Sequence, residues 1–199
     1  MKDEMFEFNR NALLGNINGQ PLCSEYKAAW RQCGDNKEML IRLALIQQSQ
    51  PYFSTACYNH LGLSKEYLVE NFGEFINGNR TFEDVEGVKG YTYQMYIGFE
   101  RDFKAVADVT SMMWCDNPQV EIEATKCHLF YVSNSSNVSF VCNGFNLPKI
   151  YLFDDSKVTI EDLDEDSEVV VYKYSDKASV ELGKFCFGKV KVFNKELRL

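Results

Sequence analysis

The feature that most constrains this chain is an internal repeat in its second half. Tyr131-Val-Ser-Asn-Ser-Ser-Asn-Val138-Ser-Phe140 aligns with Tyr151-Leu-Phe-Asp-Asp-Ser-Lys-Val158-Thr-Ile160, and more loosely with Tyr172-Lys-Tyr-Ser-Asp-Lys-Ala-Ser-Val180-Glu-Leu182. Each copy holds a strand led by tyrosine, a polar turn and a second strand. First-strand anchors Val109, Leu129, Ile150 and Val170 lie 20, 21 and 20 residues apart, and second-strand anchors Val120, Val138, Val158 and Val180 interleave with them. Two strands per repeat at this period read as a β-solenoid, in which inward side chains of each coil stack on those of the next. One coil cannot bury its own ladder, so stacking is obligatory. The anchors predict about four coils. The competing architecture is an antiparallel β-sandwich. Few glycines occupy the turns and no Asn-Gly or Asp-Gly stands as a two-residue turn between paired strands, which favours the solenoid.

The first half reads differently. From Cys23 to Ile76 the apolar residues fall at helical spacing. Ser24 caps a stripe of Tyr26, Ala29, Trp30 and Cys33 that stops at Gly34, and a second helix from Asp35 or Asn36 is apolar almost all round. Pro51 opens a third, bearing Phe53, Ala56, Cys57 and His60 and ending at Leu61-Gly62-Leu63. Ser64 caps a fourth, with Tyr67, Leu68, Phe72, Phe75 and Ile76 inward, broken at Asn77-Gly78. The expected fold is α+β: an arm at 1–22, a helical unit at 23–78, a connecting loop and strand at 79–103, and a repeat domain at 104–199. In the connector Tyr91, Tyr93 and Met95 alternate on one side of a strand. The helical unit is the natural cap of the first coil, and the charges of Asn194-Lys-Glu-Leu-Arg-Leu199 would discourage stacking on the last.

Charge narrows the function. The chain has 199 residues and a formal net charge of -8, distributed over both halves, so phosphate neutralisation is a poor basis for binding and nucleic acid an unexpected partner. The start, Met-Lys-Asp-Glu-Met-Phe-Glu-Phe, is acidic where a secretory signal is basic and then apolar, and Met39 to Ile46 is too short for a bilayer. No membrane association is expected. Seven cysteines without a spacing pattern suit reduced, buried thiols in a cytoplasm. The Asn-x-Ser/Thr triplets at 79, 134 and 137 read as turn chemistry.

Candidate chemistry is sparse. Cys57-x-x-His60 and Cys127-His128 hold the only histidines, and with no Cys-x-x-Cys to complete four ligands they read as core residues, so no metal is assigned. Asp162, Asp164 and Asp166 open like a calcium loop, but Ser167 stands at the sixth position in place of Gly and Lys173 at the twelfth in place of Glu. A solvated acidic turn is the expectation. Asp154-Asp155 are the nearest approach to paired carboxylates, and no nucleophile motif or phosphate-cradling glycine loop accompanies them. No cofactor and no enzymatic activity are expected. The helical hairpin at Leu61-Gly62-Leu63-Ser64 invites a DNA-binding reading, which Glu66, Glu70 and Glu74 oppose.

Residues 21–78 followed by short β coils are similar to small proteins encoded by phages and prophages of gut bacteria, and the coils alone resemble bactofilin-type polymerising solenoids. The second resemblance implies end-to-end assembly; neither brings a catalytic residue. The expected function is a non-enzymatic interaction or assembly module in a bacterial cytoplasm or phage particle, with a protein partner or self-association. Tyr91, Tyr93, Tyr96, Asp154, Asp155, Asp162, Asp164 and Asp166 are its candidate interaction surface. The alternatives are a carbohydrate-binding or carbohydrate-processing β-helix and a regulator using the helical hairpin.

Overall fold

The computed structural model describes residues 24–34, 36–47, 64–83, 90–123, 128–144 and 147–195. The arm at 1–22, the helix expected after Pro51, Cys57, His60 and Cys127 lie outside these residues. Twelve strands are described: β1 (Phe82–Glu83), β2 (Thr92–Ile97), β3 (Phe103–Lys104), β4 (Val109–Met113), β5 (Asp116–Glu123), β6 (Leu129–Ser133), β7 (Asn137–Asn143), β8 (Lys149–Leu152), β9 (Lys157–Leu163), β10 (Glu168–Lys173), β11 (Ser179–Cys186) and β12 (Lys189–Asn194). They form two sheets, β1-β2-β4-β6-β8-β10-β12 and β11-β9-β7-β5-β3. Apart from the antiparallel β1–β2 pair, every pairing is parallel. A chain that changes sheet at each strand and meets itself in parallel winds as a solenoid, here of about five turns. An antiparallel sandwich is not what forms. The count exceeds the expected four because β2, expected as a connector, pairs with β4 and is itself a first rung.

The aligned repeats are in register: Tyr131 meets Tyr151, which meets Tyr172, while Val138, Val158 and Val180 form one column and Phe140, Ile160 and Leu182 another. Two anchors are displaced. Ile150 pairs with Phe130 and Val171, so the inward column is Thr110, Phe130, Ile150 and Val171, while Val109, Leu129 and Val170 face outward. Val120 pairs with Phe140, not Val138, because the register shifts between Asp116 and Gln119. The first error arises because Val109 and Leu129 are covered from outside by the helical core, so apolar character marks both faces there.

The solenoid interior is closely filled by Phe130, Phe140, Ile150, Ile160 and their neighbours, all fully buried. One corner carries a column of small residues, Cys115, Ser136, Ser156 and Ala178. There Ser136 Oγ donates to Ser133 O (2.6 Å) and accepts from Cys115 N (3.1 Å), and Ser156 Oγ accepts from Ser136 N (3.1 Å). The turn before Ser136 uses Asn134 and Ser135 at φ 58° and 59°, which is why this triplet is turn chemistry. At the opposite side Gly188 is required by close approach, since a Cβ there would lie against Asp164 O and 2.6 Å from Ser167 O.

Three helices are described: α1 (Ser24–Cys33), α2 (Lys37–Gln47) and α3 (Lys65–Phe72). Gly34 follows α1 at φ 50°, and Ser64 Oγ accepts from Tyr67 N (3.1 Å) at the start of α3, so both punctuation marks act as read. Helix α3 stops at Phe72, earlier than Asn77-Gly78, and the chain continues in turns that still bury Ile76. Leu40, Leu45, Leu68 and Phe72 share one core with Tyr93, Met95, Ile97, Val109 and Met113. The helices therefore cover the outer face of the first sheet at its early strands, and β2 and β4 are buried on both faces.

Candidate interaction surface

A solenoid has two ends, and each presents strand edges whose N–H and C=O groups require partners. At the first end the edge of β2 is occupied. Phe82 and Glu83 of β1 pair with Tyr93 and Thr92, and beyond them Asn77 accepts from Ile97 N through Oδ1 (2.8 Å) and donates its N–H to Met95 O (2.7 Å). Asn77 holds φ 58°, a conformation asparagine tolerates better than most residues, and it thereby imitates a strand. The edge of the second sheet is only the two-residue β3, whose Phe103 stacks on Tyr96 at 4.0 Å.

At the last end the edges are β11 and β12, and among the described residues no strand follows either. Their inward side chains lack a covering rung: Leu182 is 60% exposed and Val192 46%. Phe185, Phe187 and Phe193 are exposed on the same coil, and these five are most of the large apolar residues found exposed among the described residues. Residues 179–195 also carry four lysines and one glutamate, whereas 154–168 carry eight acids and one lysine. Two ion pairs cross this boundary, Lys191–Glu168 at 2.7 Å and Lys157–Glu181 at 2.8 Å. The last coil is thus a basic, apolar end on an acidic chain. Of the tail expected to discourage stacking, residues 196–199 lie outside the description, and Lys195 Nζ sits 5.5 Å from the Tyr172 ring centroid.

The residues singled out from the sequence lie elsewhere. Tyr93 and Tyr96 are buried on opposite faces of β2, one in the helical core and one in the solenoid interior, and Tyr91 packs half-buried beside the former. Burial pushes the Tyr96 hydroxyl up to about 12, with Cys115 adding to the shift. Asp154 Oδ2 accepts from Asn134 N (2.9 Å) and Asp155 Oδ1 from Ser135 Oγ (2.6 Å), so both carboxylates tie one coil's turn to the next. Asp164 Oδ2 likewise accepts from Gly144 N; Asp166 is exposed and Asp162 half-buried. Among the described residues no group of three or more His, Cys, Asp or Glu side chains is placed to hold a metal ion. His128 is buried, its Nδ1 3.0 Å from Ala107 O.

The aromatic stripe on the outer face of the first sheet occupies the faces of its inner rings. Tyr131–Tyr151, Tyr151–Tyr172 and Tyr172–Phe193 are stacked at 4.7, 5.2 and 5.7 Å, so the faces of Tyr151 and Tyr172, which sugar stacking would need, are taken up within the row. The thiols are equally quiet. Burial pushes Cys115 up to about 11 and Cys142 up to about 12, holding both in the protonated, unreactive form at neutral pH.

At a significant level no family model, curated protein or solved structure matches the chain. Among the described residues no helix is long and apolar enough to cross a membrane. Fold and end geometry together define a parallel two-sheet β-solenoid, closed on one edge of its first rung and, among the described residues, open at its last. Sequence reasoning missed the open end, although its signal is present: Phe185-Cys186-Phe187 places apolar side chains on both faces of one segment, with Lys184 and Lys189 flanking it.

Proposed function

We propose that this protein is a non-enzymatic interaction module that docks a protein partner on the open end of its solenoid. The observation that carries the reading is the exposure of Leu182, Phe185, Phe187, Val192 and Phe193 together on the last coil, beside two strand edges. Apolar side chains and edge groups concentrated at one end are the raw material of an interface. The buried tyrosines, the turn carboxylates and the protonated thiols already serve the fold, which supports a role without catalysis. Polymerisation of the bactofilin kind needs two free ends and is disfavoured by the occupied edge of β2.

Site-specific photocrosslinking in the source cell tests this. A photoreactive phenylalanine analogue at position 187 is expected to give a discrete protein adduct, and the same analogue at Leu147, exposed but remote from the last coil in sequence, none. Equal labelling from both positions, or none from 187, contradicts the reading.

A further inference from the structure

We propose that the open end takes an extended segment of another protein, carrying alternating apolar and acidic side chains, as a strand added to the free edge of β12. This rests on the reading above and names the partner's chemistry. The backbone supplies the first part of the argument. Lys189 and Lys195 donate their N–H groups to Ser167 O (2.9 Å) and Lys173 O (2.7 Å). Successive residues of a parallel strand point their backbone groups to opposite sides, so Val190, Val192 and Asn194 turn N–H and C=O away from β10 toward the edge. Strand addition satisfies such groups in one step and gives an extended peptide most of its affinity.

Side chains choose the strand. Inward positions of the added strand would lie over Val192, which is 46% exposed, and gain by being apolar. Outward positions would lie beside Lys189 and Lys191, on the strand face that also carries Phe193. Lys191 already meets Glu168, while Lys189 and Lys195 have no ion pair among the described residues. Glutamates in the partner complement this rim.

A second copy of the chain fits less well in either orientation. Head-to-tail stacking requires the edge of β2, which β1 and Asn77 occupy, and tail-to-tail stacking brings two lysine-rich rims together.

The full chain is titrated against two fluorescent ten-residue probes, one alternating valine with glutamate and one alternating valine with lysine, by anisotropy at low and at physiological salt. The glutamate peptide is expected to bind at least about tenfold more tightly, with the preference shrinking as salt rises. Two variants locate it. Val192→Pro removes an edge N–H without removing a bond to β10, and Lys189→Glu reverses the rim charge; each is expected to weaken binding at least about tenfold. Far-ultraviolet circular dichroism melts matching the parent confirm that each variant is folded, and Lys189→Glu decides if Val192→Pro is not. Equal affinity for the two peptides, no binding of either, or binding indifferent to Lys189→Glu overturns the proposal. So does light scattering that shows a dimer lost in Lys189→Glu. Where position 187 still crosslinks a protein but neither peptide binds, the docking end stands and the acidic strand falls.

Discussion

At β2 the edge groups of Met95 and Ile97 meet Asn77, whereas at β12 the equivalent groups of Val190, Val192 and Asn194 meet no described residue. Both strands belong to the same sheet and hold the same position in the coil, so the difference lies in what surrounds them. The first rung is overlaid by α2 and α3 and closed by a turn that imitates a strand. The last is left with exposed apolar side chains and a rim of lysines. A solenoid treats its interior rungs alike and invests its individuality in its ends, because only there do unpaired edges and uncovered ladders arise.

Matched truncations should separate the two regions most widely. Phe72→Ala, in the core over β2, is expected to cost about 3–5 kcal/mol, and Phe187→Ala, 65% exposed, to stay within about 0.5 kcal/mol, both by urea denaturation. Similar losses at the two positions would break the contrast. Asn77→Ala removes the acceptor for Ile97 N and should cost about 1–3 kcal/mol, with new proteolytic sensitivity near residues 77–83; a neutral result would mean that β1 alone closes the edge.

Alkaline titration addresses what the ends share. Cys115 and Cys142 lie in the common interior, and burial raises Cys115 from 9.0 to about 11. A raised folded value means the stability is fully present below pH 9 and is lost as pH rises toward 11, and fluorescence-monitored unfolding should show both regions weakening together. A decline beginning below pH 9 would point to other groups. A stabilising change is expected at Thr110, whose buried Oγ1 has no hydrogen-bond partner among the described residues. Thr110→Val should raise stability by about 1 kcal/mol, and a loss would mean that the hydroxyl is satisfied.

Much of the solenoid was legible because side-chain period and coil period reinforce each other: Tyr131, Tyr151 and Tyr172 align in sequence and stack in space. Where the outer face is covered, that logic fails, and Val109 and Leu129 pass for inward anchors. The edge closure by Asn77 was invisible for a different reason, since it depends on one side chain meeting a strand 20 residues later. Tyrosine and aspartate look like recognition residues by type, and what type does not state is that Tyr96 fills the interior and that Asp154 and Asp155 lock turns. Leu182 and Phe187 are exposed with no described strand over β11, which local pattern does not state.

Residue-resolved amide hydrogen exchange on the free chain tests the central claim most directly, because Ile97 and Val192 both point N–H groups off the edge of one sheet. The closed-and-open account predicts that the Ile97 amide is protected at least about a hundredfold more than that of Val192, with Val190 and Asn194 exchanging like Val192. Comparable protection at Ile97 and Val192 would contradict it.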